Sequence, residues 1–141
     1  LYEAIADGLV AEVEALLQLP IVPNMWDDDG YTPLIQASKK GDVDIVKLLL
    51  EAGALKDCRD DYGRTALANA AMKGHSPVVK LLLEAGADKD RRDVEGRIAL
   101  MAAACGGHAP VVQLLLEAGA QKDLRDDRGN TALITAAEYG H

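Results

Sequence analysis

Glycine recurs every 33 residues in this chain, in three registers: Gly30, Gly63, Gly96 and Gly129; Gly41, Gly74, Gly107 and Gly140; and Gly53, Gly86 and Gly119. A fixed period of this length marks a solenoid of stacked supersecondary units, because each unit is too small to bury its own apolar face. A stack presents an extended surface in place of a closed pocket. The pattern therefore points to binding rather than catalysis.

The bulk composition narrows the partners. At 141 residues the chain is one domain's worth of sequence, and 49% of it is hydrophobic with no Phe, mostly Ala, Leu and Val, which suits thin layers packed close together. The net charge of −8 argues against duplex DNA and an anionic membrane, both of which need a basic footprint. No apolar run approaches the roughly 20 residues of a membrane span, and no signal peptide is visible. The chain starts at Leu1 rather than Met, as a trimmed or processed chain would. Cys58 and Cys105 fall at different points of the repeat, so both read as free thiols in a reducing compartment.

Residues 57 to 90 show one unit most clearly. Asp57 to Gly63 has the Asp/Gly chemistry of a tight turn. Thr65 is placed to cap a short alanine-rich helix from Ala66 to Met72, closed by Gly74 at the left-handed position. Ser76-Pro77 opens a second helix, with Ser at the N-cap and Pro at the first turn, which ends at Gly86. That helix is apolar on too many faces to stand free, so it must be covered by its own first helix and by adjacent units.

The pattern D-x-x-G-x-T-x-L-x-x-A-x-x-x-G-H-x-x-V-V-x-L-L-L-E-A-G-A resembles the ankyrin repeat. It stands at Asp27–Ala54, Asp60–Ala87 and Asp93–Ala120, with a truncated copy at Asp126–His141. The resemblance implies an all-α solenoid of four to five units, with helix pairs as the stem and β-hairpin fingers projecting from it. The units run 1–23 (a cap-like helix pair), 24–56, 57–89, 90–122 and 123–141 (truncated). Glu12 and Ala15 replace Ile45 and Leu48, as an N-terminal cap facing water would require. The sequence stops before a second helix in the last unit, leaving Leu133 and Ala136 uncovered; a natural chain that continues is the expectation.

Several positions depart from the family pattern. The signature His is replaced by Ile35, Ala68, Met101 and Ile134, so the hydrogen bonding between units that it provides should be missing. Ile98 replaces the capping Thr, at a cost of about 1 kcal/mol, marking 98–101 as a soft region. Pro20 replaces a C′ glycine, so the finger at Ile21–Asn24 should be irregular. In ankyrin-like proteins a finger Asn can be hydroxylated; Asn24 holds that register with Leu16 eight residues before it, but Pro23 breaks the usual preceding residue, so it reads as a turn Asn.

Nothing in the sequence points to catalysis, a metal or a cofactor. His75, His108 and His141 share one register, which is the mark of a turn or cap role. Asp27-Asp28-Asp29-Gly30 lacks the alternating ligands and closing Glu of a calcium loop. Ser38 and Ser76 lack a triad arrangement, and the glycines occur singly, without a phosphate-cradling loop.

The resemblance implies that partners dock on the concave face made by finger tips and first helices. Mapped onto this chain, that face carries Trp26, Tyr31 and Lys39 in the second unit and Arg59, Tyr62, Arg64 and Met72 in the third. The fourth adds Arg92 and Arg97, with Glu95 and Cys105; the fifth adds Arg125, Arg128 and Tyr139. Every Arg lies in a finger or at its edge, and four of the five aromatic residues fall on this face. Arg, Tyr and Trp are the types enriched at interface hot spots; the bland alternative is that Arg and Asp of adjacent fingers pair with each other. The expected function is an intracellular protein–protein interaction module, an adaptor or scaffold, monomeric when isolated or part of a larger assembly. Acidic partner segments would face the Arg row. The alternative is a regulatory or substrate-recruiting domain of a larger enzyme or channel. Single-stranded RNA stacking on Trp26 or Tyr62 is a third reading, opposed by the charge. Cytoplasm, nucleus and organelle interior all suit the composition.

Overall fold

The computed structural model describes residues 1–19 and 23–141, so Pro20, Ile21 and Val22, and with them half of the finger expected to be irregular at Ile21–Asn24, lie outside the described residues. Helices alternate with turns along the chain: α1 (Tyr2–Ala6), α2 (Val10–Leu17), α3 (Pro33–Lys40), α4 (Val43–Glu51), α5 (Ala66–Lys73), α6 (Ser76–Glu84), α7 (Ala99–Cys105), α8 (Ala109–Glu117) and α9 (Ala132–Glu138). Each odd-numbered helix packs on the next odd one, and α2, α4, α6 and α8 form a second row behind them. The core is a continuous seam between the rows, holding Ile5, Leu34, Leu49, Leu67, Leu82, Leu100 and Leu115. At the ends the same registers turn outward. Glu12 and Ala15 of α2 are exposed, and Leu133 of α9 is 79% exposed where Leu34, Leu67 and Leu100 are buried.

Capping explains where the first helices start. Thr32, Thr65 and Thr131 each accept a hydrogen bond from the N–H three residues on, at 3.3–3.4 Å. Ile98 makes no such bond at α7, but its side chain is 1% exposed. Burying an Ile is worth about 1.5–3 kcal/mol, more than the lost cap, so the region is not soft for that reason. The second helices start differently from expectation. His75, not Ser76, holds the N-cap of α6, and Ser76 is its first helical residue with no side-chain cap bond.

The expected β-hairpins are tighter than hairpins. Among the described residues no strand forms; each finger is one turn, closed in the third unit by Asp60 N–H to Arg64 O at 2.9 Å and Gly63 N–H to Asp60 O at 2.7 Å. The cause is the aspartate. Asp60 Oδ1 accepts from the N–H groups of Tyr62 and Arg64, at 3.0 and 2.9 Å, and so takes donors a ladder would use. One backbone bond links neighbouring fingers at each of two junctions, Val94 N–H to Tyr62 O and Asp127 N–H to Glu95 O, both 3.0 Å.

Hydrogen bonding between units by histidine is present after all, from another register. His75, His108 and His141 place Nε2 3.2, 3.1 and 3.2 Å from the carbonyls of Lys39, Met72 and Cys105 in the preceding unit. A carbonyl only accepts, so each Nε2 carries the proton. The glycine register supports the same contact. Gly74 has φ +76°, and a Cβ there would lie 2.6 Å from His108 Nδ1.

Candidate binding face

The arginines of the candidate face divide into three groups. Arg59 donates through Nε to Gly63 O at 3.0 Å and through Nη2 to Arg92 O, in the next finger, at 3.0 Å. Arg92 repeats this, with Nη1 3.2 Å from Gly96 O and 2.9 Å from Arg125 O, and Arg125 donates to Gly129 O at 2.7 Å. These guanidiniums staple the finger row. Trp26, one period before Arg59, occupies the same register without a guanidinium and is 51% exposed.

Arg64 and Arg97 form the second group. Arg64 Nε lies 3.0 Å from Asp60 Oδ2, and the two side chains are 18% and 1% exposed. The buried Asn69 amide donates to the same oxygen at 3.1 Å. Arg97 Nε meets Asp93 Oδ2 at 2.9 Å and its Nη2 meets Glu95 Oε1 at 3.2 Å. Burial acts to lower the Arg97 pKa, but the Asp93 hydrogen bond and charge, with Glu95, outweigh it and leave it raised. Both arginines hold their own finger in shape. Arg128 is the third kind: its side chain is 80% exposed and reaches only to 4.0 Å from Glu95 Oε2.

The aromatic residues also divide. Tyr31 is half-buried, with Lys39 Nζ over its ring at 4.4 Å and 3.1 Å from its hydroxyl, so this pair is satisfied internally. Tyr62 carries the Arg64 guanidinium 4.4 Å above its ring yet stays 58% exposed. Tyr139 is 59% exposed; its phenol is pushed up first by the neighbouring Cys105 sulfur, as hydrogen-bond partner and as charge.

The structure brings Arg64, Met72, Arg97, Arg128 and Tyr139 together around one notch of about 160 Å³ between the fingers and α5, α7 and α9. Trp26, Tyr31, Lys39, Arg59, Arg92 and Arg125 lie outside it. Sequence reasoning placed Cys105 on this face but passed over Ala102 and Gly106, which make the notch with it. Ala102, Cys105 and Gly106 line it where the third unit has Asn69, Met72 and Lys73 and the fifth has Thr135, Glu138 and Tyr139. The signal, three small residues at the C-terminal end of one unit's inner helix and its cap, is visible only once units are aligned at 33 residues. A wider apolar hollow of about 730 Å³ lies on the outer side of α8 and α9 among Leu116, Leu133 and Ala136, the face that earlier units bury under the following unit.

The remaining reactive groups serve the scaffold. Cys58 and Cys105 are unpaired, and burial first, then Asp57, pushes the Cys58 thiol up. Asn24 Oδ1 accepts from Leu55 N–H at 2.7 Å, as Asp57 does from Asp88 and Asp90 from Gln121, both 2.9 Å, so it is one rung of a side-chain ladder between fingers. Asp27 Oδ1 accepts from the N–H groups of Asp29 and Tyr31, closing its turn.

With this geometry in place, comparison with known families is decisive. The family model described as ankyrin repeats (3 copies) matches residues 1–93 and 86–141. The chain belongs to the ankyrin-repeat family. No curated protein matches it. Ankyrin repeats generally mediate protein–protein interaction. No helix among the described residues of this ankyrin-repeat chain is long and apolar enough to cross a membrane.

Proposed function

We propose that this chain acts as a non-catalytic adaptor or scaffold, engaging a protein partner through the notch face of its third to fifth units. The observation that carries the reading is the contrast among similar side chains. Arg59, Arg92, Arg125, Arg64 and Arg97 are committed to finger carbonyls and aspartates, whereas Tyr62, Arg128 and Tyr139 border the same face with most of their surface in water. Exposed Tyr and Arg beside a notch with an apolar floor are the residues from which hot spots are built, each worth about 2 kcal/mol or more when truncated. Binding rather than catalysis also agrees with the histidines, whose Nε2 atoms are all spent on junctions between units.

The test is a comparison of partner capture by the chain and by Tyr62→Ala/Arg128→Ala/Tyr139→Ala, followed by affinity measurement on each captured protein. These three substitutions leave the buried aspartates paired, whereas Arg64→Ala or Arg97→Ala would disturb the fold itself. A partner bound at least tenfold more weakly by the variant supports the reading. Equal affinities for every captured protein would refute the notch face as the site.

A further inference from the structure

The finger aspartates repeat every 33 residues, but their partners do not. Asp60 Oδ2 holds Arg64 Nε at 3.0 Å and Asp93 Oδ2 holds Arg97 Nε at 2.9 Å. In the fifth unit the position of those arginines is Asn130. Asp126 Oδ1 still closes its turn, accepting from Arg128 N–H at 3.0 Å and Asn130 N–H at 2.7 Å. No cation comes within 4.0 Å of this carboxylate among the described residues, since Arg128 turns instead toward Glu95. Asp126 therefore repeats an ion-pairing register from which the guanidinium is missing.

The vacancy opens onto the notch. Asp126, Glu138 and Tyr139 line one wall, Met72 the opposite one, and Ala102 with Cys105 the floor. Gly106 adds no side chain to this floor, and a Cβ there would lie 2.5 Å from His108 Nε2. The charges that line the notch are also unequal. Arg97 is paired with Asp93 and Glu95, Arg64 with Asp60, and the exposed Arg128 reaches only Glu95, at 4.0 Å, which leaves Asp126 and Glu138 as carboxylates without an ion pair.

We propose that the notch receives an arginine side chain of the protein partner, whose guanidinium completes at Asp126 the pairing that Arg64 and Arg97 make at Asp60 and Asp93. This deepens the proposed function and rests on it. The chain already displays each element of the recognition. Its own arginines show the carboxylate geometry, Arg64 over Tyr62 at 4.4 Å shows that this scaffold seats a guanidinium on a ring, and Tyr139 is the exposed ring that lines the notch. Met72 and Ala102 offer apolar surface to the methylene stem. A planar fork matches a carboxylate and stacks on a ring, which a lysine ammonium does less well. With Arg64 and Arg97 paired internally, the Asp126 corner of the notch suits a basic side chain, and an acidic segment would find only Arg128 uncommitted beside it.

The test is selection of a random twelve-residue peptide library displayed on phage against the 141-residue chain. Enriched peptides are then synthesised and titrated into the chain, Asp126→Asn and Asn130→Arg, with backbone amide shifts locating the site. The Asn130→Arg chain supplies the missing guanidinium internally and is expected to fold with an unchanged or raised thermal midpoint. Enriched peptides should share an arginine, shift amides around 102–106 and 126–139, and bind at least tenfold more weakly when it becomes citrulline. They should lose at least tenfold on either variant. Peptides that shift the same amides without a basic residue, or bind Asn130→Arg as tightly as the parent, overturn the arginine while leaving the notch as the binding face. Peptides that map to α4, α6 and α8, or no enrichment at all, overturn it together with the reading it rests on.

Discussion

Replacing Asp60 by alanine should destabilise the chain far more than an exposed turn residue would. Four hydrogen bonds converge on this carboxylate, from Tyr62 N–H, Arg64 N–H, Arg64 Nε and Asn69 Nδ2, at 2.9–3.1 Å. The two backbone donors sit at a turn that water can reach, so losing them costs about 0.5–1 kcal/mol each. Removing one partner of a buried ion pair costs about 3–5 kcal/mol in full, but Arg64 can swing toward solvent, so about 1–2 kcal/mol is the reasonable share here. The buried Asn69 amide keeps its bond to Thr65 O but loses this one, at about 1 kcal/mol, so the total is about 4 kcal/mol, or roughly 12 °C in thermal midpoint for a chain of this size. Asp93 keeps the same turn bonds, but its arginine is 40% exposed, and its loss should cost about 2 kcal/mol. Asp126 has no ion pair to lose and should cost about 1 kcal/mol. Urea unfolding of the three alanine variants at pH 7 measures the series, with amide exchange at Tyr62 as a local check because repeat arrays need not unfold in one step. Asp93 is the stricter control, since the fifth unit lies at the end of the stack. Equal losses for Asp60→Ala and Asp93→Ala, or a smaller loss for Asp60→Ala, would refute the burial argument.

Further perturbations separate the other contributions. Gly74→Ala must adopt a positive φ and drives a Cβ to 2.6 Å from the His108 ring, whereas Gly140→Ala meets nothing within 4 Å; thermal midpoints should fall clearly for the first, by about 2 kcal/mol or more, and by about 1 kcal/mol for the second. Ile98→Thr restores a helix cap but gives up buried aliphatic surface, so it should destabilise by about 1 kcal/mol; a gain in chemical stability would mean the cap dominates. Burial first, and then the Asp27 charge, pushes the Tyr2 phenol to about 12, from an ordinary 10.0. The folded state therefore holds that proton longer than the unfolded one. Its contribution is fully present below pH 10 and is lost as the pH rises from about 10 to 12. Phenolate absorbance should show a step near pH 12 that Tyr2→Phe removes, while the raised Tyr139 phenol, which owes its shift first to Cys105, persists in that variant.

Much of the fold was legible because it is written in local chemistry. The 33-residue period, the glycines that close helices, the threonine caps and the apolar second helices each depend on residues close in sequence, and the structure agrees with them. The aspartate turns were legible too, although their carboxylates hold the fingers short of strands. The binding face was legible only as a surface. Its arginines looked alike in sequence, and their fates separated only in three dimensions, where Arg59 reaches a carbonyl 33 residues on while Arg128 reaches water.

The sequence by itself determined the unit, its two helices and their repetition, because helix caps, C′ glycines and apolar periodicity act within a few residues. Only the tertiary structure decided what each polar side chain is free to do. Stacking brings residues 31 to 36 positions apart within hydrogen-bond reach, as His75 meets Lys39 O and Asn24 meets Leu55 N–H, and so removes some groups from the available surface. It also turns three small residues at the end of one inner helix into a notch and leaves Asp126 facing it without an ion-pair partner, since an ion pair is present or missing only once both positions are fixed in space.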